Sequence, residues 1–310
     1  MAAGKGPPRG GTLNRSPPRQ LLILSANLQE ARPRDVLDAD MVNFARRVPE
    51  VVPFAPDAVL LQEVVQSSAG RVAQLLKDTT GFAFDIARGP GPHAVVGRQG
   101  GQIVVRDTAL LLNRRTMRIE DQGGFFRTRY LSRDAAPGSE PRVKEHAHCL
   151  ARTASGRLRV ALASVHFVTN DKLAALSLGF CYKGKWARQL ANFLASRYPQ
   201  GAVPQLWVIA GDLNNRRCLR PRETVECDVL PFWHVLTAQS GFRDAVLERH
   251  GHSQEALAAQ TRNGRRIDYV FARGRVLDAS HDVDYDAHKG EPGFYSDHRL
   301  LWALVRPSTP

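Results

Sequence analysis

Apolar positions in this chain come as short consecutive runs more often than as clean alternation. LLILSAN (21–27), DAVLLQE (57–63), TALLLN (108–113) and QLWVIAGD (205–212) are each apolar at successive positions. Runs of this length and kind read as strands covered on both faces. FAFDIA (82–87), QIVV (102–105), IDYVFA (267–272) and RLLWALV (299–305) add further strands. HCLART (148–153) and RLRVALASVHF (157–167) flank Ser155-Gly156 and read as a hairpin. Between them the period changes to that of helices. Met41, Phe44, Ala45, Val48, Val51 and Val52 predict a helix from Asp40 to Phe54. Val72, Leu75 and Leu76 predict one after Ser68, and Trp186, Leu190, Phe193 and Leu194 predict one over 185–197. A shorter helix is predicted over FWHVLTAQ (232–239), and TNDKLAALSLGFCYKG (169–184) reads as a long loop whose Phe180, Tyr182 and Lys183 contact substrate. The sum is sheet covered by helices, a single α/β domain over 21–306.

Residues 1–20 carry Lys5, Arg9, Arg15 and Arg19, no acid, and interspersed Pro and Gly, and are expected to form a disordered basic tail. No apolar stretch approaches the roughly 18 residues of a membrane span. The first twenty residues contain no apolar h-region, so a cytoplasmic, reducing setting with free thiols is the default expectation. Four cysteines are too few for a disulfide scaffold, though Cys218 and Cys227 are close enough for a loop disulfide. The net charge of +13 favours anionic partners: nucleic acid, phospholipid headgroups or other phosphates. A monomer is the expected state.

Chemistry enters where the apolar runs stop. LLILSA ends at Asn27, AVLLQ at Glu63, VALASV at His166 and LWVIAG at Asp212, with Asn214 two residues on. IDYVFA opens on Asp268, and RLLWALV is preceded by Asp297 and His298. A strand must end somewhere, and Asp or Asn is an ordinary turn residue. Six core strands that all end in Asn, Glu, Asp or His are another matter. If the strands opening on such residues run antiparallel to those ending on them, these side chains gather along one sheet edge. Several carboxylates without neighbouring Lys repel one another, and a divalent cation removes that cost. No Cys accompanies them, so Mg²⁺, with Mn²⁺ as a substitute, fits better than zinc. Imidazoles and spare carboxylates beside such an ion suit hydrolysis of a phosphate ester.

LLILSANLQE, DAVLLQEV, ASVHFVTN followed by KWARQL, VIAGDLNN, RRIDYVF and YSDHRLL together resemble the endonuclease/exonuclease/phosphatase superfamily, in family order. The resemblance implies a four-layered α/β/β/α sandwich of two mixed sheets flanked by helices. It also implies roles: Asn27, Glu63 and Asp297 at the metal, and Asp212 orienting or activating the nucleophilic water. Asn214 would hold the scissile phosphate, and His298, fixed by Asp268, would contact the phosphoryl group. His166 would donate to a phosphate oxygen or to the leaving group. Arg188 sits where many members begin a helix with Arg-Gln, and contacts substrate or simply faces solvent. Arg216 and Arg217, in the basic loop after GDLNN, could track a phosphate backbone. Arg127, Arg129 and Arg133, interleaved with Phe125, Phe126 and Tyr130, could do the same with stacking or simply pack, and Arg265 and Arg266 could face the substrate as well. The remaining histidines, His146 and His148 among them, read as loop or surface residues.

The resemblance implies a Mg²⁺-dependent phosphodiesterase acting on nucleic acid, a nuclease. Val65 stands where abasic-site endonucleases have Lys, which speaks against that specialisation. A phosphomonoesterase or sphingomyelinase-like lipid phosphodiesterase would share the same residues. A non-catalytic module binding nucleic acid or phospholipid is the alternative from another class.

Overall fold

The computed structural model describes residues 20–29, 34–88, 96–99, 102–132, 135, 138–169, 176–197, 204–214, 229–251, 261, 266–285 and 295–308. Two sheets organise them. The first has six strands in the order β13(Arg275–His281), β14(Leu301–Arg306), β1(Leu21–Asn27), β2(Ala58–Gln62), β6(Thr108–Asn113), β3(Phe84–Arg88). The second runs β11(Arg243–Asp244), β12(Asp268–Arg273), β10(Leu206–Asp212), β9(Arg159–His166), β8(Arg142–Thr153), β5(Gln102–Arg106), β4(Val96–Gln99), with β7(Met117–Tyr130) also paired to β8. Both sheets are mixed: β1 is parallel to β2 and antiparallel to β14, while β10 is parallel to β9 and antiparallel to β12.

Three apolar clusters mark three interfaces between four layers. Leu22, Leu24, Val59 and Leu61 pack on Phe44 and Val48 of α1(Arg34–Val51) and Val72 and Leu76 of α2(Gln66–Thr80). The alternate residues of the same strands, Leu21, Ile23, Ala58 and Leu60, meet Val160, Leu162, Leu206 and Val208 between the sheets. The outer face of the second sheet, Ala163, Val165 and Ile209, packs on Trp186, Leu190 and Leu194 of α3(Leu176–Arg197) and Phe232 of α4(Val229–His234). Both faces of β1, β2, β9 and β10 are therefore covered, which is why their sequences do not alternate. This is the sandwich that the motifs imply. A π-helical turn (Val235–Gln239) and α5(Ala245–His250) complete the described elements. No helix among the described residues is long and apolar enough to cross a membrane.

The structure departs from the sequence reading in several places. The segment 176–184 is helix, not loop, because α3 starts at Leu176. Its buried stripe runs Lys183, Ala187, Leu190, Leu194, and Lys183 interrupts the apolar pattern. β8 begins at Arg142, six residues early, because Lys144, Glu145 and His146 of the charged stretch RVKEH are buried, with Lys144 paired to Asp107 and Glu145 to Arg106 and Arg127. β7 went unread because its register shifts after Ile119 and again after Asp121, which breaks alternation. The segment 232–239 divides between α4 and the π-helical turn.

Candidate active site

The C-terminal ends of β1 and β2 face those of β9 and β10 across the sandwich, and a polar floor joins them. Gln62, at the end of β2, donates to Ser164 Oγ of β9 at 3.0 Å, and Ser164 donates back to the Leu61 carbonyl at 2.8 Å. The sequence-predicted residues stand above this floor. They come from both sheets: Asn27 and Glu63 from the first, His166, Asp212 and Asp268 from the second. The expectation of one sheet edge is thus corrected to the mouth between two sheets. Asp212 and Asp268 are register partners at the antiparallel ends of β10 and β12, so their neighbourhood is set by the backbone.

Gly211 makes the position of Asp212 possible. Its φ is +143°, and a Cβ there would lie 1.9 Å from the Val165 carbonyl oxygen and 3.1 Å from Gln62 Cδ. Only glycine fits so close to the neighbouring strand. Glu63 and Asn214 hold left-handed conformations, with φ of 52° and 49°. Such strain in residues with side chains concentrates at functional sites. Asn214 is held by its backbone N–H donating to Asp212 Oδ1 at 2.6 Å and its amide donating to the Phe167 carbonyl at 2.8 Å.

At the centre, the Asn27 amide nitrogen donates to Glu63 Oε1 at 2.9 Å and to Asp212 Oδ2 at 3.1 Å. Its Oδ1 accepts from the Gln29 N–H at 3.0 Å. His166 Nε2 lies 3.6 Å from Glu63 Oε1 and 3.8 Å from Asp212 Oδ2. His298 Nδ1 bonds Asp268 Oδ2 at 2.8 Å, and its Nε2 lies 3.6 Å from Asp297 Oδ1 and 3.9 Å from Asp212 Oδ2. That buried Nε2 makes no hydrogen bond among the described residues. Ligand atoms of Glu63, His166 and Asp212 lie within 4.8 Å of one another, as do those of Asp212, Asp268 and His298. Asp212 belongs to both groups. Seven of the eight predicted strand-end residues thus join through contacts of their side chains. Asn214 joins through its backbone N–H.

Burial and neighbours set unequal charge states. Burial, reinforced by Asp268 and Glu63 against His298 and His166, pushes the Asp212 carboxyl up to about 6. Burial pulls His298 down, but Asp268, Asp212 and Asp297 outweigh it and raise the imidazole to about 9. Burial also works against the Glu63 carboxylate, but His166 and the Asn27 amide overcome it and hold the group below its usual range. One carboxyl is thus poised near neutrality beside a lasting cation, and a second stays anionic.

Several contributors were not read from the sequence. Asp107, in the one-residue link between β5 and β6, bonds His166 Nδ1 at 2.6 Å and pairs with Lys144 at 3.0 Å. Its only sequence signal is a carboxylate between two strands. His146 and His148, expected at the surface, are buried. His146 Nδ1 accepts the His166 backbone N–H at 3.2 Å, so Nε2 carries the proton and donates to Thr128 Oγ1 at 3.0 Å. Burial and the nearby Lys144 keep that ring neutral, holding it down at about 3. His148 packs edge-on against Phe193 with centroids 4.7 Å apart. Ser296 ties the Ser-Asp-His turn to β1 by donating to the Asn27 carbonyl at 2.6 Å and accepting from the His298 N–H at 3.1 Å. Thr261 Oγ1 accepts the N–H of Ile267 and of Asp268, each at 3.0 Å.

The basic candidates divide. Arg188 is exposed on α3 and donates to Gln239 Oε1 at 3.3 Å. Lys183 is buried, and its amine donates to the Asn214 carbonyl at 2.6 Å. Arg266 is buried against Asp244 and lies over the Tyr269 ring at 4.6 Å. These bonds turn Lys183 and Arg266 inward, where the sequence reading had them facing substrate. Arg216 and Arg217 lie outside the described residues, as do Arg133, Arg265, Cys218 and Cys227.

A profile of the Endonuclease/Exonuclease/phosphatase family matches residues 13–298. No curated protein sequence matches the chain. Solved structures of similar fold include an endonuclease/exonuclease/phosphatase from Bacteroides vulgatus, with a TM-score of 0.60 at 12% identity, covering 93% of this chain and 99% of that one. The protein of that description from Beutenbergia cavernae DSM 12333 has a TM-score of 0.57 at 20% identity, covering 94% and 72%. A humanized D. rerio TDP2 carrying 14 mutations has a TM-score of 0.55 at 16% identity, covering 93% and 99%.

Proposed function

The chain belongs to the Endonuclease/Exonuclease/phosphatase family, and on that premise we propose that it is a divalent-metal-dependent phosphodiesterase whose substrate is nucleic acid. The observation that carries this reading is the position of Asp212, shared between a Glu63–His166 group on one side and an Asp268–His298 group on the other. The donor set suits a hard cation. Glu63 and Asp212 offer carboxylate oxygens, and no thiol accompanies them among the described residues. Glu63 is the principal ligand in this reading, because its carboxyl stays ionised and is the more open to solvent of the two. Asn27 as placed turns its amide nitrogen to Glu63 and Asp212 and its Oδ1 to the Gln29 N–H, so it ligates beside those carboxylates only with its amide turned over. Asp297 borders the site beside His298. A bound Mg²⁺ or Mn²⁺ supplies Lewis-acid polarisation of the phosphoryl oxygens.

The chain's own groups do the rest. Asp212, placed between the Glu63–His166 group and the Asp268–His298 group, takes the proton of the attacking water. His298, protonated and oriented by Asp268, donates its unpartnered Nε2–H to the charge developing on the phosphoryl oxygens. His166, oriented by Asp107, stands on the other side of Asp212 and donates to a phosphate oxygen or to the departing oxygen. The net charge of +13 favours a polyanionic substrate over a neutral-headed lipid.

The test is a substrate panel of plasmid DNA, single-stranded RNA, abasic duplex, sphingomyelin and inositol phosphates, each with Mg²⁺ and with chelator. Chelator-sensitive cleavage of nucleic acid is expected. Asp212→Ala and His298→Ala should each lose about two to four decades of rate with unchanged circular dichroism. Glu63→Gln should shift the Mg²⁺ titration to higher concentration. Hydrolysis confined to lipid or inositol phosphates, or wild-type rates in either alanine variant, would refute the assignment.

A further inference from the structure

A second concave feature lies between the end of β7 and the outer face of α3. It is a pocket of about 470 Å³ walled by Arg127, Arg129, Tyr130, Lys185, Trp186 and Gln189. That volume falls within the roughly 300–1,000 Å³ of ligand sites. No carboxylate is among its described lining residues, so the charge it presents is uncompensated from within. Arg127 is committed to the buried Glu145 at 2.7 Å, a carboxylate that it shares with Arg106. Arg129 and Lys185 are exposed at the rim and supply the working charge. Tyr130 and Trp186 are nearly fully buried, so they serve as walls and offer no face for stacking bases. This corrects the expectation of stacking for Phe126 and Tyr130, both buried, while the Phe125 side chain lies outside the described residues, and it leaves the recognition of anions.

Both walls are bonded to residues that hold the candidate active site. On the helix side, Trp186 packs edge-on against Phe167 at 5.4 Å, and Phe167 follows His166 and accepts from the Asn214 amide. One turn earlier, Lys183 bonds the Asn214 carbonyl. On the strand side, Thr128 accepts from His146, which accepts from the His166 backbone. Trp186 Nε1 closes the two walls on each other by donating to the Arg129 carbonyl at 3.3 Å. The pocket therefore stands in fixed relation to His166 and Asn214.

We infer that this pocket seats a backbone phosphate of the nucleic-acid strand away from the scissile bond, held by Arg129 and Lys185 with Gln189 as a neutral donor. The inference rests on the proposed nuclease function and names what its site adds: an anchor that favours a polymer over a small phosphate ester. Because the contacts are to phosphate, the preference is for length and is indifferent to base sequence.

The test is binding of a labelled single-stranded oligonucleotide to the full chain, with chelator present so that no cleavage intervenes, over a range of salt. Each phosphate contact on a single strand contributes about 0.7 to the slope of log K against log salt. Because the pocket seats one phosphate, Arg129→Ala/Lys185→Ala should lower that slope by about 0.7. With Mg²⁺ restored, it should also raise KM for long oligonucleotides about tenfold or more, as loss of charge-assisted hydrogen bonds does, with a smaller effect on a dinucleotide. A control double variant, Arg71→Ala/Lys77→Ala, removes the same charge from α2 on the opposite outer layer and should leave the slope as it is. An unchanged slope in the pocket variant overturns the inference. So does an equal fall in the α2 control, which would trace the effect to net charge. A pocket variant that loses binding to inorganic phosphate or to anionic lipid vesicles but keeps its oligonucleotide slope also overturns it, by assigning the pocket another occupant. Failure of the wild-type protein to cleave any nucleic acid would sink the proposed function, a separate result.

Discussion

Gly211→Ala tests whether the geometry of the site depends on one missing methyl group. The added Cβ would stand 1.9 Å from the Val165 carbonyl oxygen and 2.9 Å from its carbon, atoms of the adjacent parallel strand β9. A carbon–oxygen contact settles at roughly 3.3 Å or more, so β9 and β10 must separate by over an ångström or the residue must leave its φ of +143°. Neither escape is local. Separation breaks the β9–β10 ladder and displaces Ser164 from Gln62, while a change of φ swings the Asp212 carboxylate out of the cluster. Backbone strain of about 1–3 kcal/mol and overpacking of about 1–3 kcal/mol combine to an expected destabilisation of about 3–5 kcal/mol. Against a total stability of about 5–15 kcal/mol, this is readable as a fall in the urea midpoint. Misplacing a catalytic group by about 1 Å costs roughly a hundredfold in rate, so activity of the folded fraction should fall by at least that much. A Gly211→Ala protein that melts within about 1 kcal/mol of wild type and cleaves at full rate would show that the strand end tolerates a side chain and that the close packing argument is wrong.

Two further outcomes are expected. Asp107→Asn should lower the rate about 10- to 100-fold by releasing His166 from its orientation, and should also destabilise the fold by leaving buried Lys144 unpaired. Adding Lys144→Met should restore the melting temperature without restoring the rate. Recovery of both would make Asp107 merely structural. His281 is held down at about 4 by burial and Arg299. Because the unfolded ring titrates near 6.5, its contribution is fully present above that pH and is lost as pH falls toward 4, about 3 kcal/mol in all. The stability gap between wild type and His281→Gln should therefore narrow between pH 7 and pH 4.5 in urea titrations, and a gap constant with pH would contradict the burial of a neutral ring.

The buried strands and their polar termini were legible in one dimension, because a strand covered on both faces must be continuously apolar and can carry functional side chains only where it ends. Asn27, Glu63, His166, Asp212, Asp268 and His298 were found on that ground alone, and the structure joins them. The residues that orient them were not legible. Asp107, Lys144 and His146 sit in stretches whose charge reads as solvent-facing, and only the packing of β8 between β7 and β5 buries that charge and supplies its partners. Lys183 hid the first half of α3 in the same way, since a lysine on an apolar stripe is explained only by the Asn214 carbonyl that receives it. Hydrophobic period records how much of a segment leaves water. Which polar group meets which across two sheets is decided by register and by the distance between layers, neither of which is written in any one segment.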